Sequence, residues 1–195
     1  MPIEQSQSKD VVQAGMIANK NTNEIVGAGG VYTVECVGAD GQVKWSDTFH
    51  NLVVNEGLAD MNTNYFKGST YTASPYLGIL EGAGASNTFT ATQTLASHGS
   101  NGAGGWTEST AYSGSRKAVV FGTASTSNPS AIGNAASPSS FVMNATKTIS
   151  GALLCTVSSG TSGVLFSVGN FTGGDKFVDS GDTLNVTYTF SLTAT

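Results

Sequence analysis

Charge is scarce in this sequence. Asp, Glu, Lys and Arg make up 11% of its 195 residues, against about 25% in an ordinary soluble domain. The eight Lys and Arg are scattered, and only Arg116 and Lys117 adjoin. Nucleic-acid binding needs clustered cations that displace counterions from phosphates. A net charge of −5 without a basic cluster therefore argues against DNA or RNA as a partner. Histidine is rarer still: His50 and His98 are the only two, and no HxH, HxxxH or HExxH spacing joins them. The usual zinc site draws three or four ligands at such spacings, so none is expected. The two cysteines, Cys36 and Cys155, lie far apart in apolar runs and match no metal or redox spacing. They read as buried free thiols, with a disulfide open to them only if their strands are neighbours. No run approaches the ~18 apolar residues of a membrane span. The opening MPIEQSQSKD has no basic region followed by an apolar one, so no secretory leader is expected.

The motifs of common chemistry are also missing. GxxxxGK[ST] and GxSxG do not occur, and the GAGG and GAGAS stretches precede no helix that could present amides to a phosphate. His50, with Asn51 beside it and Glu56 six residues on, is the obvious candidate base, but no nucleophile accompanies it. His50 and Glu56 are expected instead to cap the entrance of a nearby helix. Asp175, Asp179 and Asp182 crowd GGDKFVDSGD. Calcium is one reading, but the spacing is not that of an EF-hand, and Asp and Gly are default turn formers, so a solvated turn is expected. Trp45, Trp106 and Tyr112 could form a carbohydrate platform, yet they stand at strand positions where core packing is the default. No catalytic, cofactor-binding or metal-ligating residue is therefore assigned, and no enzyme is expected.

Ser and Thr fill the place of the missing charge, at about a quarter of all positions. Residues 1–30 are polar at first, then hold scattered apolar side chains with no sustained period, and read as an extended N-terminal arm. The sandwich domain is expected over 31–195. VYTVECV (31–37) and QVKWSDTF (42–49) flank Asp40-Gly41, a strong hairpin signal. In TFHNLVVNEGLADMNTNYF (48–66), Val54, Leu58, Met61 and Tyr65 recur at helical spacing. One helix is predicted there, capped at its start by Asn51 or Asn55 and closed by Gly68, with that stripe facing inward as a lid on the sandwich. PYLGIL (75–80) reads as a buried strand, and 81–105 and 125–138 as long loops. Residues 140–157 read as two strands or one long strand bent at Gly151. DTLNVTYTFSLTA (182–194) alternates strictly, with Leu184, Val186, Tyr188, Phe190 and Leu192 on one face. Many short strands, one helix and frequent turns predict an all-β antiparallel sandwich, jelly-roll-like in its connections.

Several phrases line up in order: HNLVVNEGL (50–58), YFKGST (65–70), PYLGILEG (75–82), GWTESTAYS (105–113), GVLFSVGNF (163–171) and SGDTLNVTYT (180–189). In these the chain resembles a family of tailed-bacteriophage virion structural proteins of the capsid cement, or decoration, type. The resemblance spans roughly residues 45–190 and carries no catalytic motif. It implies a capsid decoration protein, made in the host cytoplasm, that binds the outside of a shell of major capsid protein and stabilises the head. It also implies a homo-oligomer, a trimer rather than a dimer, with no nucleic acid, membrane or cofactor. The arm lies outside the match. Its apolar residues Val11, Val12, Met16 and Ile17 are expected to dock on the capsid or on a neighbouring copy. The alternative is a tail- or fibre-associated module that binds host-surface glycan through exposed aromatic rings.

Overall fold

The computed structural model describes residues 26–67, 75–82, 87–98 and 106–194. The chain forms β1 (Val26–Val37), β2 (Val43–His50), β3 (Leu52–Val53), α1 (Asn55–Phe66), β4 (Tyr76–Glu81) and α2 (Leu95–His98). It continues with β5 (Thr107–Glu108), β6 (Lys117–Ala118), β7 (Ser130–Gly133), β8 (Ser139–Val142) and β9 (Lys147–Cys155). It closes with β10 (Leu165–Asn170), β11 (Lys176–Val178) and β12 (Thr183–Ala194). The architecture is an all-β sandwich of two antiparallel sheets. One sheet runs β2-β1-β12-β7, with β8 also on β12. The other runs β3-β10-β9-β4-β5, with β11 on β9 and β6 on β4.

The first and last long strands carry the first sheet. β1 pairs with β12 along its whole length, from Val26↔Ala194 to Val37↔Thr183. Their alternation sends Tyr32, Val34, Cys36, Leu184, Val186 and Tyr188 inward, all buried, while Phe190 and Leu192 are half-buried. The Asp40-Gly41 turn forms as expected: Gly41 takes a φ of 80°, and Asp40 accepts the Gln42 amide. β1 begins at Val26, inside the segment read as arm; residues 1–25, and with them Val11, Val12, Met16 and Ile17, lie outside the described residues.

The second sheet is covered on both faces. Leu77, Ile79, Ala152 and Leu154 face the first sheet, while Leu80, Leu153, Cys155, Leu165 and Val168 pack on the far side with Val54, Leu95 and Trp106. Two-sided burial accounts for the uninterrupted apolar runs of β4 and β9, which no alternation marks. It also separates the cysteines. Cys36 faces the space between the sheets and Cys155 lies in the outer cluster, so both are free. β8 and β9 are separate strands, and Gly151 lies within β9 next to a register shift opposite Leu80/Glu81.

A polar seam ties the sheets together. The Tyr32 hydroxyl meets Ser167 Oγ at 2.7 Å, Ser167 Oγ donates to the Tyr188 hydroxyl at 3.5 Å, and Asn51 Nδ2 donates to the same hydroxyl at 3.0 Å. Burial raises the pKa of both tyrosines, Tyr188 to about 12.

The acidic turn differs from the expected solvated one. Asp182 is buried, and its carboxylate accepts the Asp179 amide and Lys44 Nζ, each at 2.8 Å. Lys44 also meets Asp179 at 2.7 Å, so two of the three aspartates share one ammonium. Burial alone would raise the Asp182 pKa, but the Asp179 amide and Lys44 outweigh it and hold the carboxyl below its usual range. This stability is present above the ordinary carboxylate pKa and is lost as pH falls through the lowered value. Asp182→Asn is therefore expected to cost about 2 kcal/mol at pH 7. In urea unfolding, the gap between variant and wild type should close below about pH 4; a pH-independent gap would rule out the ionised carboxylate as its source.

Candidate functional site

An apolar groove of about 960 Å³ lies at the end of the sandwich where β1 begins and β12 ends. Val26 of β1, Phe166 of β10, and Phe190 and Leu192 of β12 line it, with Met61, Tyr65 and Phe66 from α1. Phe166 and Phe190 meet edge-to-face at 5.4 Å in the wall. Tyr65 and Phe66 form a second such pair on the rim, 82% and 77% exposed.

The groove exists because of how α1 is seated. Gly57 is the helix's buried residue, and a Cβ there would run into the backbone of Phe166. With no side chain at 57, the helix lies against β10. The Val54 amide donates to the Phe166 carbonyl at 3.1 Å, just before the helix begins. This corrects the predicted stripe. Val54 is buried and Met61 half-buried, but Leu58 and Tyr65 point to solvent. The side chains that looked like an inward lid instead leave aromatic surface at the groove's mouth. The first turn of α1 packs on β10, and its later residues Met61, Tyr65 and Phe66 line the groove at the end of the sandwich.

The expected caps are rearranged as well. Val54, in extended conformation, is the N-cap and makes no side-chain cap, and the Asn55 amide donates to the Ala91 carbonyl at 2.8 Å. Asn51 serves Tyr188 instead. Glu56 Oε2 accepts the amides of Leu95 at 3.0 Å and Leu165 at 2.7 Å. Glu56 is thus a clamp that joins α1, the start of α2 and β10. His50 ends β2 on the exposed surface, opposite Val31. His98 is the last residue of α2, and Gly68 lies outside the described residues. Among the described residues, no group of three His, Cys, Asp or Glu could hold a metal ion, and no helix is long and apolar enough to cross a membrane.

Trp106 is buried in the outer cluster, and Trp45 is half-buried, its Nε1 donating to the Phe177 carbonyl at 3.1 Å. Sequence reasoning missed the buried ion pair. Arg116 donates Nε and Nη2 to the two oxygens of Glu108, both at 2.7 Å, and Nη1 to the Val157 carbonyl. The available signal was a Glu and an Arg eight residues apart in a stretch otherwise nearly without charge. Three of the guanidinium's five N–H groups are thus bonded within the chain, and the pair ties the Glu108 strand end to the Arg116 and Val157 loops. Comparisons of the chain with protein-family models, curated proteins and solved structures found no match.

Proposed function

We propose that the chain is a capsid decoration protein of a tailed bacteriophage, bound to the outer surface of the major capsid protein shell, where it stabilises the head. The apolar groove with its aromatic rim carries this reading. A groove of about 960 Å³ beside exposed Tyr65 and Phe66 is a surface built to be covered, since lone soluble domains rarely leave large apolar patches open. The rest of the surface suits dense packing on a lattice. With 11% charged residues, it can meet neighbours without desolvating many ions. The sandwich behind it has one sheet buried on both faces. A copy bridging several shell subunits resists outward pressure because its contacts must break together.

Cryo-electron microscopy of the intact particle tests this. The expected result is sandwich-shaped density repeated across the shell, in copy numbers of order hundreds, as a lattice-covering partner requires. Density confined to a single vertex or a tail would overturn the proposal. That second outcome is the one expected of the alternative, a tail or fibre module that binds glycan. The Tyr65–Phe66 pair is the surface it would use, but the rings stand at 84°, offering a saccharide one face and no coplanar platform. A glycan array separates the two readings, because only the alternative predicts saccharide binding that Tyr65→Ser abolishes.

A further inference from the structure

We infer that the groove is the receptor for the N-terminal arm of an adjacent copy, which inserts Val11, Val12, Met16 and Ile17 between the sheets. The inference deepens the decoration reading, on which it rests for the presence of a neighbour. Two observations lead to it. The groove is apolar and is walled by Phe166, Phe190 and Leu192, so its occupant must be apolar. The 25 residues before Val26 contain two apolar pairs, Val11-Val12 and Met16-Ile17, followed by the polar stretch NKNTNE (19–24).

The spacing suits a neighbour. Val26 is itself part of the groove wall, so the arm starts at its own groove's mouth. Ile25 adjoins Val26, but nine steps separate Ile17 from Val26, a reach of up to ~30 Å when extended. A domain of this size has a radius of gyration of ~16 Å, so that reach spans from one copy to the groove of the next.

The strand geometry agrees. β2 flanks β1 only from Val31 onward, so Val26–Gly29 have a strand partner on the β12 side alone among the described residues. An incoming extended segment can add to that open edge while its side chains fill the groove, as in other cases of β-augmentation.

The test uses the full-length protein carrying Ile17→Cys and Leu192→Cys, oxidised at micromolar concentration, with bridges assigned by mass spectrometry. The expected product is a covalent oligomer joined by 17–192 bridges between copies. A 17–192 bridge within one chain, or none, would overturn the inference. The second arm is sedimentation of full-length Met16→Asp/Ile17→Asp, whose substitutions lie outside the folded core. Its self-association is expected to weaken by at least ~100-fold, the scale of losing two buried apolar anchors. Unchanged assembly mass would also refute it. Both measurements use purified protein without shells. Arm exchange therefore stands or falls separately from decoration, which the particle images decide.

Discussion

Replacing Arg116 by Met is expected to cost about 3–5 kcal/mol of stability, the usual penalty for leaving one member of a buried pair without its partner. The Arg116 and Glu108 side chains are only 3% and 5% exposed, and they meet through two parallel hydrogen bonds of 2.7 Å. Burial works against the charged guanidinium, but the bonds to Glu108 prevail and raise the Arg116 pKa further. Methionine fills much of the volume and supplies no donor. Glu108 is then left as a buried carboxylate, and the Val157 carbonyl keeps only the Cys155 thiol as a donor. The double variant Arg116→Met/Glu108→Leu should recover most of the loss, because an apolar pair of similar size carries no desolvation cost. Urea unfolding of wild type, both single variants and the double variant gives the coupling. If the double variant were as unstable as Arg116→Met alone, the stranded carboxylate would not be the cause.

How far this pair and its surroundings could be read from sequence depends on the range of the interactions. The Asp40-Gly41 hairpin and the alternation of β12 are local, and both formed as the residues suggest. The presence of α1 was legible for the same reason: apolar residues at helical spacing, ended near Phe66. Its buried face was not. That face is set by Gly57 approaching Phe166, 109 positions away, and spacing rules favour the large apolar residues that here turn outward. The helix caps misled in a similar way. Glu56 has the position of a first-turn acid, yet its partners are Leu95 and Leu165.

The long loops hid structure too. Residues 125–138 contain β7, whose four residues SAIG are too few to show a period and which gains its identity from pairing with Ala131↔Ser191 and its neighbours on β12. In 81–105 the described part packs against the second sheet, with Gln93 and Leu95 buried and Asn87 donating to Ser150 at 2.7 Å. The groove was the least legible feature. It draws on β1, α1, β7, β9, β10 and β12, and no contiguous stretch carries its pattern. The sequence shows scattered apolar residues before Val26 with no sustained period. The structure adds an apolar groove that Val26 helps to line.

Tyr188→Ala is expected to be as damaging as the loss of Arg116, at about 3–5 kcal/mol, the range for removing a buried aromatic ring. The residue joins the first sheet, the polar seam and the floor of the groove. Its ring lies 4.7 Å from that of Tyr32 and 6.4 Å from that of Phe121. Its amide donates to Asn134 Oδ1 at 2.7 Å, a bond that any side chain at 188 can keep. Tyr188→Phe removes the hydroxyl alone and is expected to cost about 1–1.5 kcal/mol, because Asn51 and Ser167 then lose an acceptor inside the sandwich. The contrast between the two variants separates packing from hydrogen bonding. Alkaline pH provides an independent check. With its pKa raised to about 12 in the folded chain, Tyr188 holds its proton where an unfolded tyrosine releases one. The unfolded state thus binds fewer protons above pH ~10, so stability must fall from there upward until the folded tyrosine also ionises. Tyr188→Phe should show a shallower fall between pH 10 and 12 in urea titrations. Tyr32, whose pKa burial also raises, keeps part of the slope. An unchanged slope would mean that the Tyr188 hydroxyl reaches water, and that the floor of the groove is wetter than its apolar lining implies.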